Sequence, residues 1–315
     1  MLLAFIISLL LTLLIMPFFI RFMRQKQFGQ VTREEGPAWH QAKSGTPTMG
    51  GVVFIFAICL SLLLTMLFNQ KSLAYLWVIM LALVFFAGIG YLDDFLKIFK
   101  QQNEGLSSKQ KFLLQLLGSA LMLVLFNVFD LQVHLPLPFI GELQQPLILL
   151  VFLLIWMTGF SNAFNLTDGL DGLSSGCGII SFLTFAVLAW REGQVAITIA
   201  CLAIVGGLIG FIAFNVKPAK IFMGDAGSLA LGAVLAVISV LLNNPWSLLL
   251  VGLIYIIETL SVMIQVTSYK LTKRRVFLMS PIHHHFEMKG WSEWKVDIVF
   301  WTVQLLASLL ALLVF

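Results

Sequence analysis

The sequence predicts an all-α, polytopic membrane protein with about ten transmembrane helices, and three features carry that prediction. Sixty per cent of its 315 residues are hydrophobic and only 11% are charged, against roughly 25% charged and 45–50% apolar in soluble domains. The apolar residues fall into ten runs, most of them close to the roughly 20 helical residues that a bilayer core requires. The Lys and Arg residues fall almost entirely into alternate gaps between those runs. A chain this poor in charge must turn most of its surface to lipid.

The runs lie at 2–22, 50–68, 72–92, 112–129, 147–164, 177–190, 195–214, 226–242, 246–268 and 296–315. The first lacks a basic n-region and a small-residue cleavage site and continues into Arg21 and Arg24, so it reads as a span and not as a signal peptide. Pro17 is expected to kink it, which neighbouring helices accommodate. The sixth run is short and can borrow residues from the glycine-containing stretch before it. No soluble domain and no internal repeat stands out, so residues 1–315 are expected to form a single transmembrane domain. The stretch 130–146, with Pro136, Pro138, Gly141 and Pro146, reads as the longest loop on its side, with a small hairpin.

Of the 19 basic residues, all but Lys71 and Arg191 belong to one set of alternate loops. The positive-inside rule places that set in the cytoplasm and both termini outside it. Cys59, Cys177 and Cys201 all lie inside apolar runs, so they make no disulfide framework. Nucleic acid is excluded as a partner: the basic residues come in small groups between apolar runs, not along one face of a domain.

The acids sort to the same side. Asp93 and Asp94 end the third run, Asp168 and Asp171 follow the fifth, and Asp225 precedes the eighth. Polar clusters gathered on one face at helix ends suit an enzyme or receptor opening to the cytoplasm. A secondary transporter more typically holds its charges near the midplane on broken helices. Asp93-Asp94, with Lys97 one turn on, reads either as an interfacial cap or as two walls of one pocket, since adjacent residues on a helix diverge by about 100°. Asn162, Asn165, Asp168 and Asp171 recur every three residues along one drifting ridge. A cap and turn needs one or two such residues, not four in register, so a ligand site is the better reading. Gly224-Asp225-Ala-Gly227-Ser228 opens an apolar helix, where free N–H groups attract anions. An Asp there would serve as an ordinary N-cap, or would carry a metal such as Mg²⁺, which takes carboxylates together with substrate phosphates. His283-His284-His285 cannot readily turn three rings to one metal, and Mg²⁺ prefers oxygen; imidazoles there suit phosphate contacts or proton shuttling. Glu258, inside the ninth run, has no evident role, with Gln265 two turns on.

These motifs together resemble the phospho-N-acetylmuramoyl-pentapeptide transferases of bacterial cell-wall synthesis, within the polyprenyl-phosphate hexosamine-1-phosphate transferase superfamily. The resemblance covers nearly the whole chain. It rests on Lys43-Ser-Gly-Thr-Pro-Thr48-Met-Gly-Gly51, Asp93-Asp94-Phe-Leu-Lys97, Gly105-Leu-Ser-Ser-Lys109, Asn165-Leu-Thr-Asp168-Gly-Leu-Asp171-Gly172, Phe222-Met-Gly-Asp225-Ala-Gly-Ser228 and Pro281-Ile-His-His-His285-Phe-Glu287. The last is the passage specific to this branch. The resemblance implies transfer of phospho-MurNAc-pentapeptide from UDP-MurNAc-pentapeptide to undecaprenyl phosphate, giving lipid I and UMP with Mg²⁺, by a homodimer in the bacterial cytoplasmic membrane. It further implies catalytic roles for Asp93, Asp94, Asp225, His283 and His284, with Asp225 on the metal. Lys43, Asp171 and Phe222 would surround the uracil, and Thr48 belongs to the same binding surface. Asn165 and Asp168 would line the nucleotide-sugar pocket. Asn215 and Gln265 would lie close to the phosphates and ribose, with Lys97 and Lys109 as supplementary cations. Lys97 stands where soluble prenyltransferases have another Asp, so their two-metal reading does not transfer. A GlcNAc-1-phosphate transferase of the same superfamily is the competing enzyme, opposed by the triple-His passage. A nucleotide-sugar transporter is the competing non-enzyme, opposed by outer loops that are short and nearly uncharged.

Overall fold

The computed structural model describes residues 1–26, 43, 45–68, 73–99, 105–137, 141–143 and 145–315. Arg33, Lys71 and Lys100 of the charge pattern, the start of the third run at Ser72, and Pro138 lie outside the described residues. The helices in chain order are α1 (Leu2–Gln25), α2 (Gly50–Phe68), α3 (Leu73–Phe99), α4 (Ser108–Val128), α5 (Pro146–Thr167), α6 (Leu173–Arg191), α7 (Val195–Asn215), α8 (Gly224–Leu241), α9 (Leu248–Val251), α10 (Leu253–Thr272), α11 (Ile282–Met288) and α12 (Glu293–Val314). Among the described residues nine helices are long and apolar enough to cross a membrane, or ten if the bent pair around Gly252 counts as one span. The protein is an all-α, multi-pass integral membrane protein.

Local signals explain several boundaries. Ser107 caps α4 in a capping box with Gln110, each side chain meeting the other's backbone N–H. Pro146 starts α5, where a missing N–H costs nothing. The sixth span does borrow from the stretch before it, starting at Leu173. Pro17 sits inside α1, which is assigned as one helix. Two expectations are corrected. The third helix runs past Leu92 to Phe99, so Asp93, Asp94 and Lys97, on a helix as expected, lie in its last two turns and not beyond the run; the Asp93–Lys97 ion pair at i,i+4 supports that extra length. The ninth run is not one straight helix: residues Pro245–Val251 and Leu253–Thr272 meet at 79°. The expected hairpin is present as β1 (Leu135–Leu137) and β2 (Gly141–Leu143), antiparallel with Pro136 opposite Glu142.

The centre of the bundle is α8. Its most apolar stretch is 89% buried, against 28% for α1 and α4. Helices α2, α3, α5 and α6 pack on it, α7 is nearly as deeply buried, and α1 and α12 lie further out. Small residues set how closely they approach, as is usual where lipid supplies no hydrophobic drive between helices. A Cβ on Gly90 of α3 would overlap the carbonyl of Asp225, and one on Gly51 of α2 would overlap the backbone of Gly227. The start of α8 is therefore pressed between α2 and α3, and the acidic side chains of α3 and α8 meet there.

Candidate active site

Three carboxylates converge at the start of α8. Asp93 and Asp94 come from the last turns of α3, Asp225 from the first turn of α8, and one oxygen of each lies within 4.8 Å of the others. Two ammonium groups hold them together. Lys97 Nζ stands 2.6 Å from Asp93 Oδ2, 3.1 Å from Asp225 Oδ2 and 3.8 Å from Asp94 Oδ1. Lys111 Nζ, from the first turn of α4, stands 2.7 Å from Asp225 Oδ2 and 3.5 Å from Asp93 Oδ2. The two neighbouring aspartates do different work. Asp93 Oδ1 accepts the Leu106 N–H at 2.8 Å, tying down the segment before α4. Asp94 Oδ2 accepts the Ala226 N–H at 3.2 Å, tying α3 to the start of α8. Asn165 Nδ2, from the last turn of α5, donates to Asp225 Oδ1 and to Ser228 Oγ, both at 2.8 Å. Asp225 is thus held from three helices besides its own.

The chemistry of this donor set fits a hard divalent cation. Three carboxylates with clustered oxygens are what Mg²⁺ accepts, with waters and phosphate oxygens completing its shell. Like charges this close demand cations, and Lys97 and Lys111 meet that demand in the protein alone.

A second cluster lies beyond the α5–α6 turn. Lys43 Nζ bridges Asp171 Oδ1 at 2.7 Å and Glu293 Oε2 at 2.8 Å. Lys217 Nζ meets the other oxygen of Glu293 at 2.8 Å. Burial works to lower the Lys43 pKa, but the charge of Asp171, joined by Glu293, holds it above its ordinary value. Asp171 Oδ2 also accepts the Ala219 N–H at 2.9 Å, which joins the turn to the loop before α8. That loop is pinned in turn to the stretch after Lys43: Phe222 N–H donates to the Pro47 carbonyl, and the Phe222 carbonyl accepts from Gly50. Thr48 is buried beside Gly224, and the Phe222 side chain is half-buried. Asp168 accepts the Ser174 hydroxyl at 2.5 Å. Burial pushes its carboxyl up to about 7, against that hydrogen bond, with the charges of Asp225 and Asp171 adding to the rise.

The remaining residues singled out from the sequence are placed less directly. Asn215 Oδ1 accepts from Gly172 N and Ser175 Oγ, while its Nδ2 donates to the Ile221 carbonyl. Gln265 Oε1 accepts from Val276 N and Phe277 N, and its Nε2 donates to the Phe277 carbonyl. Both amides therefore organise loops behind the site. The three histidines lie on the short helix α11 and turn three ways. His283 Nδ1 meets Glu258 Oε1 at 3.0 Å, His284 Nδ1 meets Glu287 Oε2 at 2.7 Å, and His285 Nδ1 accepts from Leu278 N at 3.1 Å. Lys109 is exposed, with no hydrogen bond or ion pair among the described residues, whereas Lys111 reaches Asp225. From the sequence, Lys111 is only one of the loop charges, and Glu293 carries no signal of a role. The capping box Ser107-Ser-Lys-Gln110 was the available signal: it starts a helix on which Lys109 and Lys111 point about 200° apart, so only one can face the aspartates.

The model of glycosyl transferase family 4 matches residues 76–243, and the phospho-N-acetylmuramoyl-pentapeptide-transferase signature 1 matches residues 43–55, the segment that carries Lys43 and Thr48. The chain is 51% identical over 303 residues to a phospho-N-acetylmuramoyl-pentapeptide-transferase of Enterococcus faecalis, covering 96% of this chain and 94% of the relative. It is 52% identical over 304 residues to that of Enterococcus hirae, with the same coverage. It is 49% identical over 313 residues to that of Lactobacillus gasseri, covering 99% of this chain and 98% of the relative. With a family model spanning more than half of it and relatives of this identity along almost its full length, the chain belongs to the phospho-N-acetylmuramoyl-pentapeptide-transferase family of glycosyl transferases.

Proposed function

We propose that this transferase moves phospho-MurNAc-pentapeptide from UDP-MurNAc-pentapeptide to undecaprenyl phosphate, releasing UMP and forming lipid I at the cytoplasmic face of the bacterial plasma membrane. The observation that carries the reading is the Asp93–Asp94–Asp225 cluster with Lys97 and Lys111 folded into it, at the polar end of a membrane bundle. Joining two anionic phosphates requires dense positive charge, and this site is built to gather it. A Mg²⁺ ion would be held by Asp225 with Asp93 or Asp94, and when bound it would neutralise charge on the phosphates and orient them.

The side chains divide the rest of the work. In a direct displacement a lipid-phosphate oxygen attacks the β-phosphorus, the bond from that phosphorus to the bridging oxygen breaks, and its electron pair leaves on UMP. Such transfer needs chiefly positioning and charge neutralisation. Lys97 and Lys111 can swing from carboxylate to phosphate without leaving the site. Asp94 and Asn165 keep the α8 start in place while they do so. The uridine would lie over the Lys43, Asp171 and Phe222 surface. The working unit is a homodimer in this proposal.

The test uses purified protein with polyprenyl phosphate and either UDP-MurNAc-pentapeptide or UDP-GlcNAc, scoring UMP. UMP release with the muramoyl substrate, abolished by EDTA and restored by Mg²⁺, is expected. Release with UDP-GlcNAc alone would make the chain a GlcNAc-1-phosphate transferase, and release unaffected by EDTA would remove the metal.

A further inference from the structure

Glu258 is the one acidic residue in the membrane-spanning part of α10, and both it and His283 have zero exposure. A carboxyl inside an apolar membrane helix is costly, so a protein keeps one there for a reason. Its partner supplies the reason. Glu258 Oε1 lies 3.0 Å from His283 Nδ1. Taken as a carboxylate, Oε1 accepts and Nδ1 carries the proton of the contact. That leaves Nε2 as the free nitrogen, and it has no partner among the described residues.

The direction of Nε2 is the second observation. It lies against Gly169, close enough that a Cβ on that residue would overlap it. Gly169 belongs to the turn between α5 and α6 that also carries Asp168 and Asp171. Any other residue there would cover the nitrogen with a side chain. His284 Nδ1 and His285 Nδ1 meet Glu287 and Leu278 instead.

We infer that Glu258 is a positioning residue for His283: by accepting Nδ1–H it holds the ring so that Nε2, closed off against Gly169, is the nitrogen that supports the Asp168–Gly172 turn of the nucleotide-sugar pocket. Glu258 acts wholly through the histidine. The Nδ1–H contact fixes the orientation of the ring, and with it the edge that Nε2 presents to the turn. The same logic fixes the second nitrogen of metal-bound histidines, where an outer carboxylate sets tautomer and orientation. The inference rests on the phosphotransferase reading of the site.

Two readouts on the full chain in detergent test it. In the first, histidine-selective ¹⁵N labelling reports which nitrogen carries the proton, with the His283 signal assigned by its loss in His283→Gln. The proton is expected on Nδ1 in wild type and in Glu258→Gln, whose amide oxygen still accepts, and divided between the nitrogens in Glu258→Leu. In the second, Glu258→Leu is expected to lower kcat for UMP release about 10–100-fold with KM for the nucleotide sugar changed less than about 3-fold, and Glu258→Gln to recover most of the loss. A wild-type spectrum with Nδ1 bare would overturn the inference. So would wild-type kcat in Glu258→Leu, or a Gln variant as impaired as the Leu variant. If Glu258→Leu does not fold, the wild-type spectrum and the Gln variant decide the matter. A wild-type protein that releases no UMP would instead overturn the phosphotransferase reading, leaving the tautomer result to stand by itself.

Discussion

Two lysines two residues apart separate a contact from a coincidence. Lys111 reaches Asp225 and Asp93, while Lys109 faces outward from the same helix turn. Lys111→Met is therefore expected to lower UMP release at least about 100-fold, the scale on which loss of one preorganised electrostatic group acts. Lys109→Met should leave turnover within about 2-fold, since an exposed charge without a partner contributes little. Equal losses in the two variants would refute the assignment. Asp168 makes a different prediction, about stability. Its folded pKa of about 7 lies above the ordinary value of 3.8, chiefly through burial. The folded state thus prefers the protonated acid, so this residue's contribution is fully present below the unfolded pKa and is lost as pH rises through 7. Asp168→Asn keeps an oxygen for the Ser174 hydroxyl and cannot titrate. The wild-type melting temperature, taken relative to that of Asp168→Asn, should fall between pH 4 and pH 7; a difference independent of pH would mean the carboxyl is not buried as described.

At the scale of the helix, what mattered was how the ends are mounted. Gly90 lets α3 touch the first turn of α8, where a Cβ would overlap the Asp225 carbonyl, whereas a Cβ on Gly88 meets nothing within 4 Å. Gly→Ala favours a helix interior by roughly 1 kcal/mol at either position, so the pair isolates the contact. Gly88→Ala is expected to be active and at least as stable as wild type. Gly90→Ala is expected to lose more than about 10-fold in UMP release, since displacement of a catalytic group by about 1 Å costs of order 100-fold. Full activity in Gly90→Ala would show that α8 is not held by α3. The same scale shows what could be read in advance. Apolar runs located every long helix, and breaks in them located Asp93, Asp168 and Asp225, because polar groups at membrane boundaries have few structural uses. Hydropathy did not show that α3 continues to Phe99, since it registers charge but not the Asp93–Lys97 pair that sustains the helix. Nor did it show the 79° bend at Gly252, because a window average carries no direction. Partners distant in sequence, such as Glu258 with His283 and Glu293 with Lys43, were illegible for a related reason: each is a choice among many acids that only packing makes.

For the molecule as a whole, the ends of α3 and α5 and the starts of α4 and α8 meet in one cluster, and the start of α12 joins a second that is reached through the α5–α6 turn, so the site has one address on one side of the bundle. The basic loops belong to that side in the alternation of the spans. Lys and Arg near helix ends are retained in the cytoplasm during insertion, so both clusters and the last basic loop around Arg274 should face the cytoplasm. The turn between α6 and α7 at Glu192 should then face outward, as should both termini. Impermeant thiol labelling of spheroplasts decides this with two single substitutions at exposed positions, Glu192→Cys and Arg274→Cys. The native thiols give little background, since Cys177 and Cys201 are buried and Cys59 lies within α2. Glu192→Cys is expected to react in intact spheroplasts, and Arg274→Cys only after the membrane is opened. The reverse pattern would place the carboxylate cluster on the outer face, where no nucleotide sugar is made, and the proposed reaction would then lack its substrate. Labelling of both positions from outside would show instead that α7 to α10 do not cross as three spans, and the bent segment at Gly252 would have to be re-entrant. The bend makes that second outcome the sharper test, because α9 and α10 together reach across only if the chain resumes its direction after turning through 79°.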